Sequence, residues 1–271
     1  MKIHKLLYLY LMLEKFLEKV LVLSRKDKVF EDTNPIVRAF EFNENVAHVF
    51  DDMAQRSIPH YRDVQSMAAT LALTFYQEGS RIYDLGCSTG TTIALLLNGL
   101  KDHNLSNYYI KGIDSSAPMC REAIEKISSI DYEKDRILIE EGDILEEPIE
   151  NASVVIMNYT LQFIDPLKRE NLIKKIYRGL NHNGILLVSD KTLQSHTDIS
   201  RIFVDNYYNL KRKNGYSELE ISRKREALEN VLIPYPIREE EELFRICGFE
   251  AVDLFYSWYN FSSFICLKKG Q

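Results

Sequence analysis

Cysteine is scarce and scattered. Cys87, Cys120, Cys247 and Cys266 are the only four in 271 residues, with no C-x-x-C pair among them. That pattern argues against a disulfide-stapled scaffold and a zinc ribbon, and leads to the expectation of a reduced, cytoplasmic compartment. The six histidines stand apart from one another, so no metal site is expected. Positive charge is also short, with 34 Lys and Arg against 40 Asp and Glu. The balance of −6 counts against a broad electrostatic grip on nucleic acid while leaving room for a local basic patch, and no stable direct nucleic-acid binding is expected. No apolar run is long. The most suggestive one, Leu6 to Leu13, stops at Glu14-Lys15 after eight residues. A bilayer span takes about 20 apolar residues, and no small-residue cleavage site follows, so neither a membrane anchor nor a signal peptide is expected. Leu6, Leu9, Tyr10, Leu13, Leu17 and Val20 share one helical face, which predicts an amphipathic leader helix over residues 1–24.

What the chain does have is a hydrophobic fraction of 45%, enough for one enlarged α/β domain over 25–271. Its most informative stretch is Arg81-Ile82-Tyr83-Asp84-Leu85-Gly86-Cys87-Ser88-Thr89-Gly90. An apolar strand carrying an acid breaks into a Gly/Ser turn, and Thr91-Thr-Ile-Ala-Leu-Leu-Leu opens a helix at once. Gly86 allows a sharp turn and close approach of backbone to ligand. Asp84 stands where the dinucleotide fingerprint is apolar. An acid there suits a cationic, amino-acid-like nucleoside such as S-adenosylmethionine better than a pyrophosphate.

Four more strands follow, at 108–115, 136–144, 152–159 and 184–191. All are near-continuous apolar runs, as strands buried on both faces of a parallel sheet should be. Each turns polar at its carboxyl end, where open α/β sheets bind ligands. Asp114 is placed on the ribose hydroxyls, and Asp143 can accept from an adenine amino group; Cys87 is read as a small residue under the ligand. The chain closes with a helix at 239–249 and two strands, 251–259 and 261–268. Together these predict a Rossmann-like, seven-stranded class I methyltransferase sheet, mostly parallel, with its last strand antiparallel. The expected parts are a helical cap (41–78), a core (80–191), a helical insert (198–230) and a terminal αβ unit (238–269). In the cap, Asn43 is a plausible N-cap, and Tyr61 follows a Pro turn that would lie over the cleft. In the insert, Glu220–Lys224 and Arg225–Glu229 fall at i,i+4. The plain reading is a surface helix laced with ion pairs; the sharper one is that Arg225 faces the cleft and binds a carboxylate.

After the fourth strand the chain reads Asn158-Tyr-Thr-Leu-Gln-Phe-Ile-Asp-Pro166. Enzymes that methylate exocyclic amines usually carry an Asn/Asp-Pro-Pro-aromatic turn there, and this chain does not. Nor does a His/Asp pair supply a general base.

Four segments, Asp51–Tyr61, Tyr83–Ser88, Asn158–Phe163 and Asn214-Gly-Tyr-Ser-Glu-Leu-Glu-Ile-Ser222, closely resemble the carboxy-S-adenosyl-L-methionine synthase family. The resemblance runs from about residue 26 to the C-terminus. It implies synthesis of carboxy-S-adenosylmethionine from S-adenosylmethionine and prephenate, with release of phenylpyruvate. The product would then be consumed by a partner carboxymethyltransferase acting on 5-hydroxyuridine at tRNA position 34. The resemblance further implies cofactor contacts at Tyr61, Gly86, Cys87, Ser88, Asp114, Ser115, Asp143, Ile144 and Asn158, with Arg225 on the added carboxylate. It also implies a homodimer. Two other readings stay open at this point: an orthodox methyltransferase acting on a small molecule or tRNA, and a non-catalytic cofactor-binding scaffold for a tRNA-modifying partner.

Overall fold

The computed structural model describes residues 26–31, 37–103, 105, 107–130 and 132–270. The expected leader helix, residues 1–24, lies outside the described residues.

The five apolar runs form β1 (Arg81–Leu85), β2 (Tyr109–Asp114), β3 (Ile137–Glu141), β4 (Ala152–Asn158) and β5 (Leu180–Leu193). All are parallel and lie in the order β3-β2-β1-β4-β5. The chain order reverses beside β1, between β2 and β4, which is where a doubly wound sheet leaves a crevice at its carboxyl edge. A two-residue strand, β6 (Tyr235–Pro236), pairs with the end of β5 and brings the count among the described residues to eight rather than seven. The terminal hairpin, β7 (Ala251–Trp258) and β8 (Phe261–Leu267), closes the sheet, with β8 antiparallel to β5.

Helices cover both faces. On one, α3 (Tyr61–Phe75) and α4 (Thr91–Asp102) bury Ala68, Ala72, Ile93, Leu96 and Leu100 against Ile82, Val154 and Leu187. On the other, α6 (Pro166–Gly179) and α9 (Ile237–Ile246) set Leu172, Ile176 and Phe244 against Leu85, Val155 and Phe264. Alternate residues of one strand therefore serve opposite layers, which is why the strands read as continuous apolar runs. Between β2 and β3 the chain forms α5 (Ala117–Ser128), capped by the Ser116 hydroxyl.

The cap begins with two short helices. Asn43 does cap, accepting from the Val46 amide at 3.2 Å. The backbone then leaves helical geometry at Val49 (φ −117°, ψ 6°), giving α1 (Glu44–Ala47) and α2 (Phe50–Ser57). The insert forms α7 (Thr197–Lys213) and α8 (Glu218–Ala227).

The ion-pair reading of α8 is corrected. Glu220 is buried and accepts from the Ser217 amide and hydroxyl at 2.8 and 2.7 Å, completing a capping box. Lys224, also buried, turns inward to the Ser57 hydroxyl at 2.9 Å. The segment Asn214–Ser222 is thus a clasp between insert and cap. Asn214 donates to the Arg56 carbonyl and Arg56 Nε to the Asn214 carbonyl, both at 2.9 Å. The Arg56 guanidinium lies 4.0 Å above the Tyr216 ring, and the Tyr216 hydroxyl donates to Asp27.

Candidate cofactor and substrate cleft

The cap and insert roof a cavity of about 280 Å³ over the carboxyl ends of β1, β2 and β4. The loop after β1 forms its floor. Gly86 takes a left-handed backbone (φ 76°), and a Cβ there would fall on the Thr160 side chain. The Gly86 and Cys87 amides both donate to the Ile113 carbonyl, at 2.8 and 3.0 Å, drawing the loop onto β2. Asp114 accepts from the Ser88 and Ser116 amides, each at 2.9 Å. One carboxylate therefore holds the cofactor loop and the start of α5 in register while facing the cleft.

Asp84 is buried, and its Oδ2 has no hydrogen-bond partner among the described residues. Burial, reinforced by the nearby Asp114 carboxylate, pushes its carboxyl up to about 7. An orphaned buried acid in a nucleoside cleft fits a cationic ligand group, and the donor and acceptor set fits S-adenosylmethionine. Asn158 is fixed from both sides: its amide donates to Thr92 and its oxygen accepts from Ser189, both at 3.2 Å. Tyr61 packs on Tyr159, with ring centroids 6.0 Å apart. Burial pushes both phenols upward, so they remain neutral donors.

Tyr61, Asp84, Gly86, Cys87, Ser88, Asp114, Ser115, Asp143, Ile144 and Asn158 all line this one cavity. Asp143 sits just beyond β3, which ends at Glu141, and turns the chain by accepting from the Leu145 amide at 2.8 Å. Arg225 is not brought there. It is exposed on α8, away from the lining of its own chain's cleft, because the adjacent Lys224 holds the inward phase of the helix. Gln65, Gln162, Lys191, Tyr207 and Lys224 line the cleft without having been singled out for it. A polar residue at the carboxyl end of an apolar strand was the available signal for Lys191. Among the described residues, no cluster of His, Cys, Asp and Glu could hold a metal, and no helix is long and apolar enough to cross a membrane.

The state of Asp84 has a measurable consequence. A folded value raised above the unfolded one, ~3.9, means its stabilising contribution is complete below pH ~3.9 and is lost as pH rises through the folded value. A cation bound beside it reverses the preference and favours the carboxylate. Binding of S-adenosylmethionine at pH 7 is therefore expected to release about half a proton per site from Asp84. Calorimetry in two buffers of different ionisation enthalpy measures this, and equal heats in both would count against the pairing.

A methyltransferase-domain family model matches residues 83–186. The chain is 43% identical to the carboxy-S-adenosyl-L-methionine synthase of Desulfotalea psychrophila, over 90% of this chain and 98% of that protein. It is 42% identical to the synthase of Nautilia profundicola, over 90% of this chain and all of that protein (100%). Among solved structures, an O-methyltransferase family protein from Burkholderia thailandensis aligns with a TM-score of 0.61 at 17% identity, covering 98% of this chain and 70% of that one. The last likeness is one of fold.

Proposed function

The chain belongs to the carboxy-S-adenosyl-L-methionine synthase family and is an enzyme of one-carbon transfer, and from that premise we propose that it carboxylates S-adenosylmethionine at the expense of prephenate. Bound in the cleft, S-adenosylmethionine would supply an acidic sulfonium methyl whose carbon takes up the carboxylate lost by prephenate, the methyl proton leaving with the prephenate hydroxyl as water and the ring becoming that of phenylpyruvate. The chain's own residues bind and position. Asp84 faces the cationic end, Asp114 the ribose and Asp143 the base, while Asn158 and Tyr61 close the methyl end against water.

The observation that carries the reading is the orphaned Asp84 beside the Asp114-braced loop, in a cleft whose fourth strand ends in Asn158-Tyr-Thr rather than an acceptor-orienting Pro-Pro turn. A site that carboxylates its own cofactor needs no such turn. Mass spectrometry of the ligand that co-purifies with the protein tests this. A species heavier than S-adenosylmethionine by one carboxylate supports it; methyl transfer to tRNA without prephenate would favour an orthodox methyltransferase instead.

The product's new carboxylate lies next to a sulfonium, where a fixed cation stabilises it more than a general base could. Arg225 is assigned that role. Since it is exposed on its own chain, it acts in a homodimer that carries α8 over a second copy's cleft. Arg225→Ala is expected to weaken binding of the carboxylated cofactor about tenfold while leaving S-adenosylmethionine nearly unchanged. Equal loss of both in calorimetry would remove the role. The product is then passed to a tRNA carboxymethyltransferase acting at position 34, and the enzyme works in the cytoplasm.

A further inference from the structure

The cleft is divided by charge. Asp84, Asp114 and Asp143 line the side formed by β1, β2 and the turn after β3, whereas Lys191 at the end of β5 and Lys224 on α8 line the other. Neither lysine has an ion-pair partner among the described residues. The Lys191 ammonium stands 5.3 Å from the centre of the Tyr207 ring, and the buried Lys211 ammonium 4.6 Å from the same centre. Lys224, only 7% exposed, has the Ser57 hydroxyl at 2.9 Å and the Tyr216 ring at 5.7 Å. The acids nearest Lys224 are committed elsewhere. Asp52 accepts from Arg56 at 3.2 Å and from the Asp27 amide at 2.7 Å, and Asp27 accepts from Tyr216.

Burying an ammonium without a counter-charge is costly. The cost shows in the lysines themselves: burial and neighbouring Lys211 bring Lys224 down to about 7, and burial brings Lys211 down to about 8. Burial lowers Lys191 as well, and fold stability gives no reason to keep Lys191 and Lys224 facing an open cavity, but an incoming anion does.

We propose that Lys191 and Lys224 form an anion subsite that takes the carboxylates of a small dicarboxylate co-substrate, opposite the acids that hold the cationic nucleoside. This rests on the reading of the preceding section, since a carboxylate donor must lie against the sulfonium methyl. The division of charge orients it. The nucleoside is drawn to the acidic wall and the dianion to the basic one, leaving the reacting groups at the boundary, under Tyr61 and Asn158. Tyr207 holds Lys191 in place through its ring face without neutralising it.

The test uses the full chain loaded with S-adenosylhomocysteine and titrated with prephenate in a calorimeter. Lys191→Met and Lys224→Met are each expected to weaken prephenate binding about tenfold, with affinity for S-adenosylhomocysteine changed less than about twofold. Lys191→Arg should retain most of the binding, and neither methionine variant should melt below the parent, since each removes a desolvated charge that has no counter-ion among the described residues. Should Lys224→Met fail to fold, Lys224→Gln keeps a donor for Ser57 and removes the charge. The subsite is overturned if the parent does not bind prephenate, if both lysine variants bind it as the parent does, or if nucleoside affinity falls in step. Turnover separates this from the reaction itself. Lysine-dependent binding without a carboxylated product refutes the reaction and keeps the subsite; product formed with an unaltered KM for prephenate in both variants does the reverse.

Discussion

Asp114→Ala is expected to lower affinity for S-adenosylmethionine by at least about 100-fold, because one side chain performs two tasks. Its carboxylate faces the cleft where a ribose would lie, and each charge-assisted hydrogen bond lost there is worth about 1.5–3 kcal/mol. The same carboxylate accepts from the Ser88 and Ser116 amides, so alanine also releases the loop after β1 and leaves two backbone donors without their acceptor. Asp114→Asn, which keeps an acceptor but loses the charge, should fall between the two. Relief of Asp84 is a separate readout: with the Asp114 charge gone, one of the two causes raising the Asp84 carboxyl disappears, and proton release on binding should decline. A loss of affinity below about threefold in calorimetry would show that the carboxylate is not a ligand group.

Gly86→Ala is expected to abolish measurable cofactor binding and to destabilise the protein by about 2–4 kcal/mol. Two costs add. The position has φ 76°, where a side chain is strained, and the new Cβ would overlap the Thr160 side chain, whose hydroxyl is held 3.3 Å from the Asn158 carbonyl. A Gly86→Ala, Thr160→Ala double variant separates them. It should recover about 1–2 kcal/mol in urea denaturation, the steric part, and still bind poorly because the strain remains. If the double variant is no more stable than Gly86→Ala alone, the overlap is not what excludes a side chain there.

Both positions could be found without a structure. Gly86 and Asp114 lie where an apolar run ends and the chain turns polar, and the parallel sheet collects those ends along one edge whatever the rest of the chain does. The same logic reached Asp84, Asp143 and Asn158, and all of them line the cleft. It did not reach the insert, whose pattern is ambiguous. In the insert, Glu220, Lys224, Arg225 and Glu229 read as a charged surface, yet on α8 Glu220 and Lys224 are buried while Arg225 is exposed. Consecutive helical residues point about 100° apart, so the phase of a helix with polar residues all round cannot be set from its own periodicity. The phase is set instead by contacts distant in sequence. Asn214 is pinned to Arg56, Tyr216 lies under the Arg56 guanidinium and Ser217 closes the capping box, after which Lys224 has only the cleft to enter.

Arg169 makes the same point from the core. It sits near the start of a helix with an exposed neighbour on either side, but is 1% exposed and donates to the carbonyls of Ile164, Gln162 and Ile233 at 2.9, 3.3 and 2.6 Å. Those bonds tie the turn after β4 to the chain entering β6, and so brace the Gln162 and Leu232 wall of the cleft. Within its own helix nothing distinguishes it from the exposed Lys168 beside it.

By itself the amino-acid sequence determined the sheet, the glycine turn after its first strand and the acids at its carboxyl edge, because hydrophobic periodicity and turn chemistry are local and each strand end carries its own signature. Only the tertiary structure decided which charged side chains of the insert enter the cleft. That choice depends on hydrogen bonds and ring contacts between residues more than a hundred positions apart, and on the desolvation of lysines whose neighbours are brought together only when the cap and insert close over the sheet.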